Sequence, residues 1–184
     1  MNLFYEDYPE HIIVNKKKIR IITDFREYIR LHDALTDETL SEYEKYFIIC
    51  QYFLDDCIVD EKAIEALTDF MSMKEIEHAG IGENKQTRQV YSFSVDFPYI
   101  LSAFMDVYGI NLQTVKYMHW WKFRTLFDGL PDNTEIKQRI MYRSIDLAKI
   151  KDKEERKRIR RIQLAIRLPN QRKMSDEEIG DAFS

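Results

Sequence analysis

The sequence predicts a mainly α protein: a single helical bundle domain with an N-terminal β-hairpin. Three observations support this fold class. Apolar residues recur at the i, i+3, i+4 and i+7 spacing of an amphipathic helix along most of the chain, often after a capping residue. Only five glycines and four prolines occur, too few for a turn-rich all-β fold. The hydrophobic fraction of 45% in 184 residues can fill a core without disulfides or a metal.

Length and charge limit the organisation and location of the protein. We expect one domain over residues 1–168 and a frayed polar tail over 169–184, because Pro169 ends the last periodic segment. The formal net charge of −4 gives no strong field toward nucleic acid. The N-terminus is acidic where a secretory signal would be basic, and no stretch is apolar for about eighteen residues. We therefore expect a soluble intracellular protein that does not enter a membrane.

The N-terminal hairpin is predicted over about residues 11–23. Two runs rich in β-branched residues, 11–14 and 19–23, flank the polar turn Asn15-Lys16-Lys17-Lys18. A lone hairpin is marginally stable in water, so this one should pack on the helical body or on a partner's sheet.

Three helices are predicted next, over about 24–37, 39–54 and 61–71. Thr39 and Glu42 have the capping-box spacing at the start of the second helix. We expect the apolar stripe of this helix to lie in the core; it is formed by Leu40, Tyr43, Phe47, Ile48 and Phe53. Periodicity fades between residues 72 and 92, where we expect a mobile loop.

The strongest helix signals lie in a central helical hairpin over about residues 96–129. The first helix is predicted over 96–108, with Asp96 as its N-cap and Gly109 as its left-handed C-cap. The second begins after Asn111 or near Thr114 and ends before Gly129. Two helices joined by a short link usually pack antiparallel.

The last two helices are predicted to begin near Thr134 and to span 151–167. The final helix is dense in basic residues, interleaved with isoleucines and a few acids. This pattern favours a solvated amphipathic helix, and a nucleic-acid contact is the alternative.

No catalytic or metal-binding constellation is visible. Cys50 and Cys57 lack a Cys-x-x-Cys or Cys-His ligand spacing, and the four histidines are scattered. His119 has the most interesting setting, where an imidazole hydrogen-bonded to a carbonyl is the favoured reading over a catalytic base. We expect neither enzymatic activity nor a cofactor.

The adjacent Trp120 and Trp121 give the predicted partner-binding residues. Side chains of successive helical residues point about 100° apart, so both cannot enter one narrow seam. The simpler expectation is that neighbouring helices bury both tryptophans. If Trp120 instead faces the core with Phe123 and Phe127, its neighbours lie near the edge of the bundle. We then expect a partner to bind there, at the predicted interface residues Trp121, Lys122 and Thr125.

Several segments of the chain carry a family resemblance: Asp96-Phe97-Pro98-Tyr99-Ile100, Ala103-Phe104, Tyr108-Gly109-Ile110-Asn111-Leu112, Met118-His119-Trp120-Trp121-Lys122-Phe123, Leu126-Phe127-Asp128-Gly129-Leu130-Pro131 and Ile140-Met141-Tyr142-Arg143. The segment from His119 to Phe123 with the downstream Gly129-Leu130-Pro131 is the specific part. Together these segments resemble the bacteriophage gene-product-fifteen family, small tail-module proteins of phages and prophages of Gram-positive bacteria.

The resemblance implies a non-catalytic, chaperone-like role in phage tail assembly, in the host bacterial cytoplasm. The implied partner is the tape measure protein, a long helical chain whose apolar stripes would aggregate before the tail tube forms. The tail tube protein, a neighbouring tail assembly chaperone and further copies of the chain are possible additional partners. Two alternatives remain: a structural tail component retained in the virion, and a nucleic-acid-binding regulator that uses the basic helix 151–167.

Overall fold

The structure, a computed structural model, describes residues 4–74 and 89–169. These residues form seven α-helices, one 3-10 helix and one β-hairpin. The predicted mainly α fold with an N-terminal hairpin is confirmed. The predicted tail and most of the predicted loop over 72–92 lie outside the described residues. The elements are, in chain order, β1 (His11–Val14), β2 (Lys17–Arg20), α1 (Phe25–Thr36), α2 (Glu42–Cys50), α3 (Glu61–Met71), α4 (Phe97–Tyr108), α5 (Trp120–Asp128), α6 (Glu135–Ser144), the 3-10 helix (Leu147–Lys149) and α7 (Lys153–Ala165).

The described chain divides into two compact units. The first unit comprises residues 4–74 and 114–128, and the second comprises 89–113 and 129–169. The single domain predicted over 1–168 stays a prediction, because it concerns whether these units unfold together.

The hairpin belongs to the first unit and packs on helix α3. Ile12 pairs with Ile19 across the antiparallel strands, and both are buried. The connecting residues Asn15 and Lys16 have φ values of 50° and 66°, the left-handed conformation that a tight two-residue hairpin turn requires. The predicted packing on the helical body is confirmed, whereas the turn is shorter than predicted because β2 begins at Lys17.

Side chains cap the helices of the first unit. The carboxylate of Asp24 accepts from the backbone N–H of Arg26 at the start of α1. Helix α2 has a capping box formed by Ser41 and Glu44, two residues later than the predicted pair. The predicted N-cap Thr39 instead donates its backbone N–H and its hydroxyl to the carboxylate of Asp37. Helix α2 also ends at Cys50, four residues before the predicted end.

The two helices of the predicted central hairpin belong to different units, and their antiparallel packing stays a prediction. Helix α4 has the predicted bounds and left-handed Gly109, but it packs on α6 in the second unit. Helix α5 packs on α1 in the first unit and begins only at Trp120. The preceding residues are not helical because their backbone bonds to the start of α1: Phe25 N–H donates to Met118 O (3.0 Å), and Trp120 N–H to Thr23 O (2.7 Å).

A buried ion pair ties together the elements of the second unit. Asp96, the predicted N-cap of α4, makes no side-chain capping bond and instead binds Arg143 of α6. The Arg143 guanidinium also donates to the carbonyl of Ile166 (2.7 Å) just after α7, and to that of Val90 (3.2 Å). Helices α6 and α7 lie within their predicted ranges, and these bonds join the start of α4, the end of α6 and the end of α7.

Candidate partner-binding site

The predicted interface residues on α5 do not form one surface. Trp121 is only 1% exposed, so the surface position on which its predicted role depended is wrong. Lys122 and Thr125 are exposed, and their contact with a partner stays a prediction. The structure confirms the simpler expectation that both tryptophans are buried, since Trp120 is buried as well.

The two tryptophans are buried because they complete the end of helix α3. The indole N–H of Trp120 donates to the carbonyl of Met71 (2.9 Å), and that of Trp121 to the carbonyl of Phe70 (2.8 Å). The last carbonyls of a helix lack their regular partners within the helix. The Phe70 carbonyl also accepts the backbone N–H of Met73 (3.1 Å), so the Trp121 indole adds a second donor there. Adjacent positions on α5 therefore supply two donors to two successive acceptors.

His119 is held in one tautomer by the backbone. Its Nδ1 accepts the backbone N–H of Trp121 (3.0 Å), so the proton lies on Nε2, which donates to the carbonyl of Pro9 (3.0 Å). The ring also stacks on Tyr8, with centroids 4.8 Å apart, and burial lowers the pKa of the imidazole. Both nitrogens are thus engaged, which confirms the structural reading of this histidine.

Thiols and metal ligands offer no alternative site in the ranges that the structure describes. Cys50 and Cys57 are free and half-buried. Burial and neighbouring acids raise the pKa of the Cys57 thiol, which disfavours a nucleophilic thiolate. Among residues 4–74 and 89–169, no three His, Cys, Asp or Glu side chains are grouped to hold a metal ion.

Helix α2 turns an aromatic surface to solvent. Tyr43, Tyr46 and Phe47 share one side of the helix and are 78%, 42% and 60% exposed, while no residue of α2 is buried. The Tyr46 hydroxyl donates to the carbonyl of Val59 (3.0 Å), next to Ile58, which is 83% exposed. Exposed apolar side chains that cluster in this way mark interaction sites. We call the group the aromatic face of α2: Tyr43, Tyr46, Phe47 and Ile58.

The sequence reading placed Tyr43 and Phe47 in the core. That prediction is wrong, because both side chains are exposed, whereas Ile48 and Ile49 of the same helix are half-buried. A signal was present in the sequence: apolar residues lie on both sides of this short helix, so one side had to remain uncovered or meet a partner.

The basic helix α7 uses several of its cations within its own unit. Arg158 pairs with Glu155 (2.7 Å), and Arg156 donates to the carbonyl of Ile150 (2.6 Å). The buried Gln163 joins α7 to α6 through bonds to two carbonyls of residues 142 and 145. The apolar side of α7 is likewise used, since Ile159 is buried.

Comparison with known proteins gives one match. The family model described as Bacteriophage Gp15 protein matches residues 6–168. No curated protein and no solved structure matches the chain significantly. None of the helices in the described ranges is long and apolar enough to cross a membrane.

Proposed function

Because the chain belongs to the Bacteriophage Gp15 protein family, we propose that it is a non-catalytic, chaperone-like protein that binds the tape measure protein during phage tail assembly. Family membership itself points to a phage structural or assembly protein. The proposed place of action is the host bacterial cytoplasm, before the tail tube closes around the tape measure. The tail tube protein, a neighbouring tail assembly chaperone and further copies of the chain are the other partners that we propose.

The aromatic face of α2 is the observation that supports this proposal most directly. A tape measure protein presents long apolar helical stripes that must be covered until the tube forms. Tyr43 and Phe47 offer large, stiff side chains on one side of a helix, the kind of surface that packs against another amphipathic helix. Because these side chains are exposed in the folded unit, a ligand could bind and leave this face without unfolding the unit, as a chaperone requires.

Co-expression with the neighbouring tape measure protein tests the proposal. The chain should keep the tape measure soluble and co-purify with it. The double variant Tyr43→Ser with Phe47→Ser should lose both effects while remaining folded, because neither side chain is buried. Phe4→Ser is the matched control, since Phe4 is 94% exposed but lies outside the aromatic face. Unchanged co-purification of a folded double variant would contradict the proposed use of this face.

A nucleic-acid-binding regulator is a second candidate because of α7. Residues 149–169 hold nine cations and three acids, enough for local attraction to phosphates. Salt-dependent binding of DNA that is lost in Lys153→Glu with Lys157→Glu would favour this function. Copies of the chain in purified virions would instead favour a structural tail component.

A further inference from the structure

The surroundings of the aromatic face of α2 are strongly acidic. Residues 37–61 contain eight carboxylates and a single lysine, an excess of seven negative charges. The whole chain has a formal net charge of only −4, so the negative charge is concentrated around this segment. The lysine, Lys45, has its side chain 17% exposed on the inner side of α2 and pairs with Glu42 (3.6 Å).

The carboxylates lie on both sides of the aromatic face. Glu42 and Glu44 are each about 100° around α2 from Tyr43, on opposite sides of it. The Glu42 side chain is 95% exposed, and Asp56 is exposed two residues before Ile58. A ligand that covers the aromatic side chains must therefore meet carboxylates at its flanks.

Hydrogen bonds favour the charged form of several of the eight carboxylates. Those from Ser41 lower the pKa of Glu44, and those from Arg20 lower that of Asp55. The backbone N–H of Ala63 lowers the pKa of Asp60 in the same way. Arg20 also balances the charge of Asp55 through their ion pair, so the attraction of a cationic ligand depends on the other carboxylates.

We infer that the aromatic face of α2 binds an amphipathic helix whose apolar stripe is flanked by lysine and arginine. Apolar residues of the ligand would cover Tyr43, Phe47 and Ile58, and its cations would meet Glu42, Glu44 and Asp56. This inference deepens the proposed function and rests on it for one point, that the ligand belongs to the tape measure protein. It specifies the segments that the chain would cover: those with basic flanks.

A second copy of the chain fits this surface less well. Its most basic element is α7, in which the apolar Ile159 is buried and Ile162 and Leu164 are half-buried. Helix α7 therefore offers cations without an exposed apolar stripe to cover the aromatic side chains. A separate helix that carries both features matches the face better.

Two synthetic helical peptides of about 20 residues test the inference with the full-length chain. Both carry the same apolar stripe at i, i+3, i+4 and i+7, flanked by lysine in one and by glutamate in the other. Titration calorimetry at low salt should give a Kd on the order of tenfold or more lower for the lysine peptide, and salt should reduce the difference. Equal affinities for the two peptides would overturn the inference.

Charge variants locate the preference. Glu42→Lys with Asp56→Lys should abolish the preference for the lysine peptide, while Phe47→Ser should weaken the binding of that peptide outright. Glu154→Lys with Asp152→Lys makes the same change of net charge at α7 and should leave the preference intact. An equal effect of both charge pairs would mean that only the net charge matters, which would also overturn the inference.

Further outcomes separate this inference from the proposed function. If the lysine peptide binds at Phe47 but the tape measure protein does not co-purify, the proposed function fails and the inferred ligand chemistry stands. If the tape measure co-purifies through Phe47 but the peptides bind equally, the inference fails and the function stands. A dimer of the chain alone that Phe47→Ser converts to a monomer would assign the face to a second copy and overturn the inference.

Discussion

Arg143 and Asp96 form a buried ion pair through two hydrogen bonds, of 2.6 Å from one guanidinium NH2 group and 2.9 Å from the other. The two side chains are 2% and 1% exposed. Such a pair costs desolvation energy on both sides, and the remaining bonds to the carbonyls of Val90 and Ile166 and from the N–H of Ser92 compensate it. The pair therefore fixes the geometry of the second unit more than it adds net stability.

Removing one partner of this pair should be severe. Arg143→Met leaves the Asp96 carboxylate buried without its counter-charge and should cost about 3–5 kcal/mol of unfolding free energy. Urea titration followed by far-UV circular dichroism measures it. Arg158→Met is the matched control, because its ion pair with Glu155 is exposed and should matter little. Similar small losses in both variants would contradict the buried role of Arg143.

Two phenylalanines allow the same substitution in opposite environments. Phe104 is fully buried in the second unit, so Phe104→Ala should cost about 3–5 kcal/mol through lost burial and a cavity. Phe47 is 60% exposed on the aromatic face of α2, so Phe47→Ala should change stability by less than about 0.5 kcal/mol. Urea titrations of both variants provide the comparison. A large loss for Phe47→Ala would mean that the free protein already covers this face.

Trp121 should be needed for folding of the first unit. Trp121→Ala removes a buried ring and should cost about 3–5 kcal/mol, whereas the neighbouring exposed Lys122→Ala should be nearly neutral. Trp121→Phe keeps a ring and removes one of the donors to the Phe70 carbonyl, which retains the backbone N–H of Met73, so the loss should be about 0.5–1.5 kcal/mol. Thermal unfolding of the three variants tests this order. A Trp121→Ala protein with an unchanged unfolding temperature would contradict the burial of this residue.

Acid should destabilise the first unit through the buried His119 and the half-buried His32. Burial lowers the pKa of His119 and of His32 in the folded state, whereas an unfolded histidine titrates near pH 6.5. Between these values the unfolded chain binds protons that the folded chain does not, so stability is full above about pH 6.5 and falls as the pH decreases toward the folded pKa. Urea midpoints from pH 7.5 to 5.0 should show the decline, and His119→Gln with His32→Gln should flatten it. An unchanged slope in that double variant would assign the decline to other groups.

Local signals in the sequence predicted most of the secondary structure, and long-range partners account for what was missed. Helix α4 and its Gly109 follow from periodicity and a left-handed C-cap, which are properties of neighbouring residues. Asp96 looked like a cap because its partner Arg143 lies 47 residues away. The indole of Trp121 finds the carbonyl of Phe70 across 51 residues, so no local pattern could show that it is buried.

The aromatic face of α2 was missed for a related reason. Its side chains have the spacing of a core stripe, and spacing alone does not say which side of a helix its neighbours cover. In the structure α2 packs on α1 with Ile48 and Ile49 half-buried and with Tyr43 and Phe47 exposed. The acidic composition of residues 37–61 could be read from the sequence. Only the structure shows that these acids flank an exposed apolar stripe.

The burial of Trp120 and Trp121 at the end of α3 gives the chain an intrinsic fluorescence reporter of one unit. The sequence holds only these two tryptophans, and both lie in the first unit. Their emission will report solvent entry into that unit and will be blind to the second, whereas peptide-bond ellipticity senses helices in both. Coincident transitions by the two probes would mean a single cooperative domain, and separated transitions would assign each unit its own unfolding step.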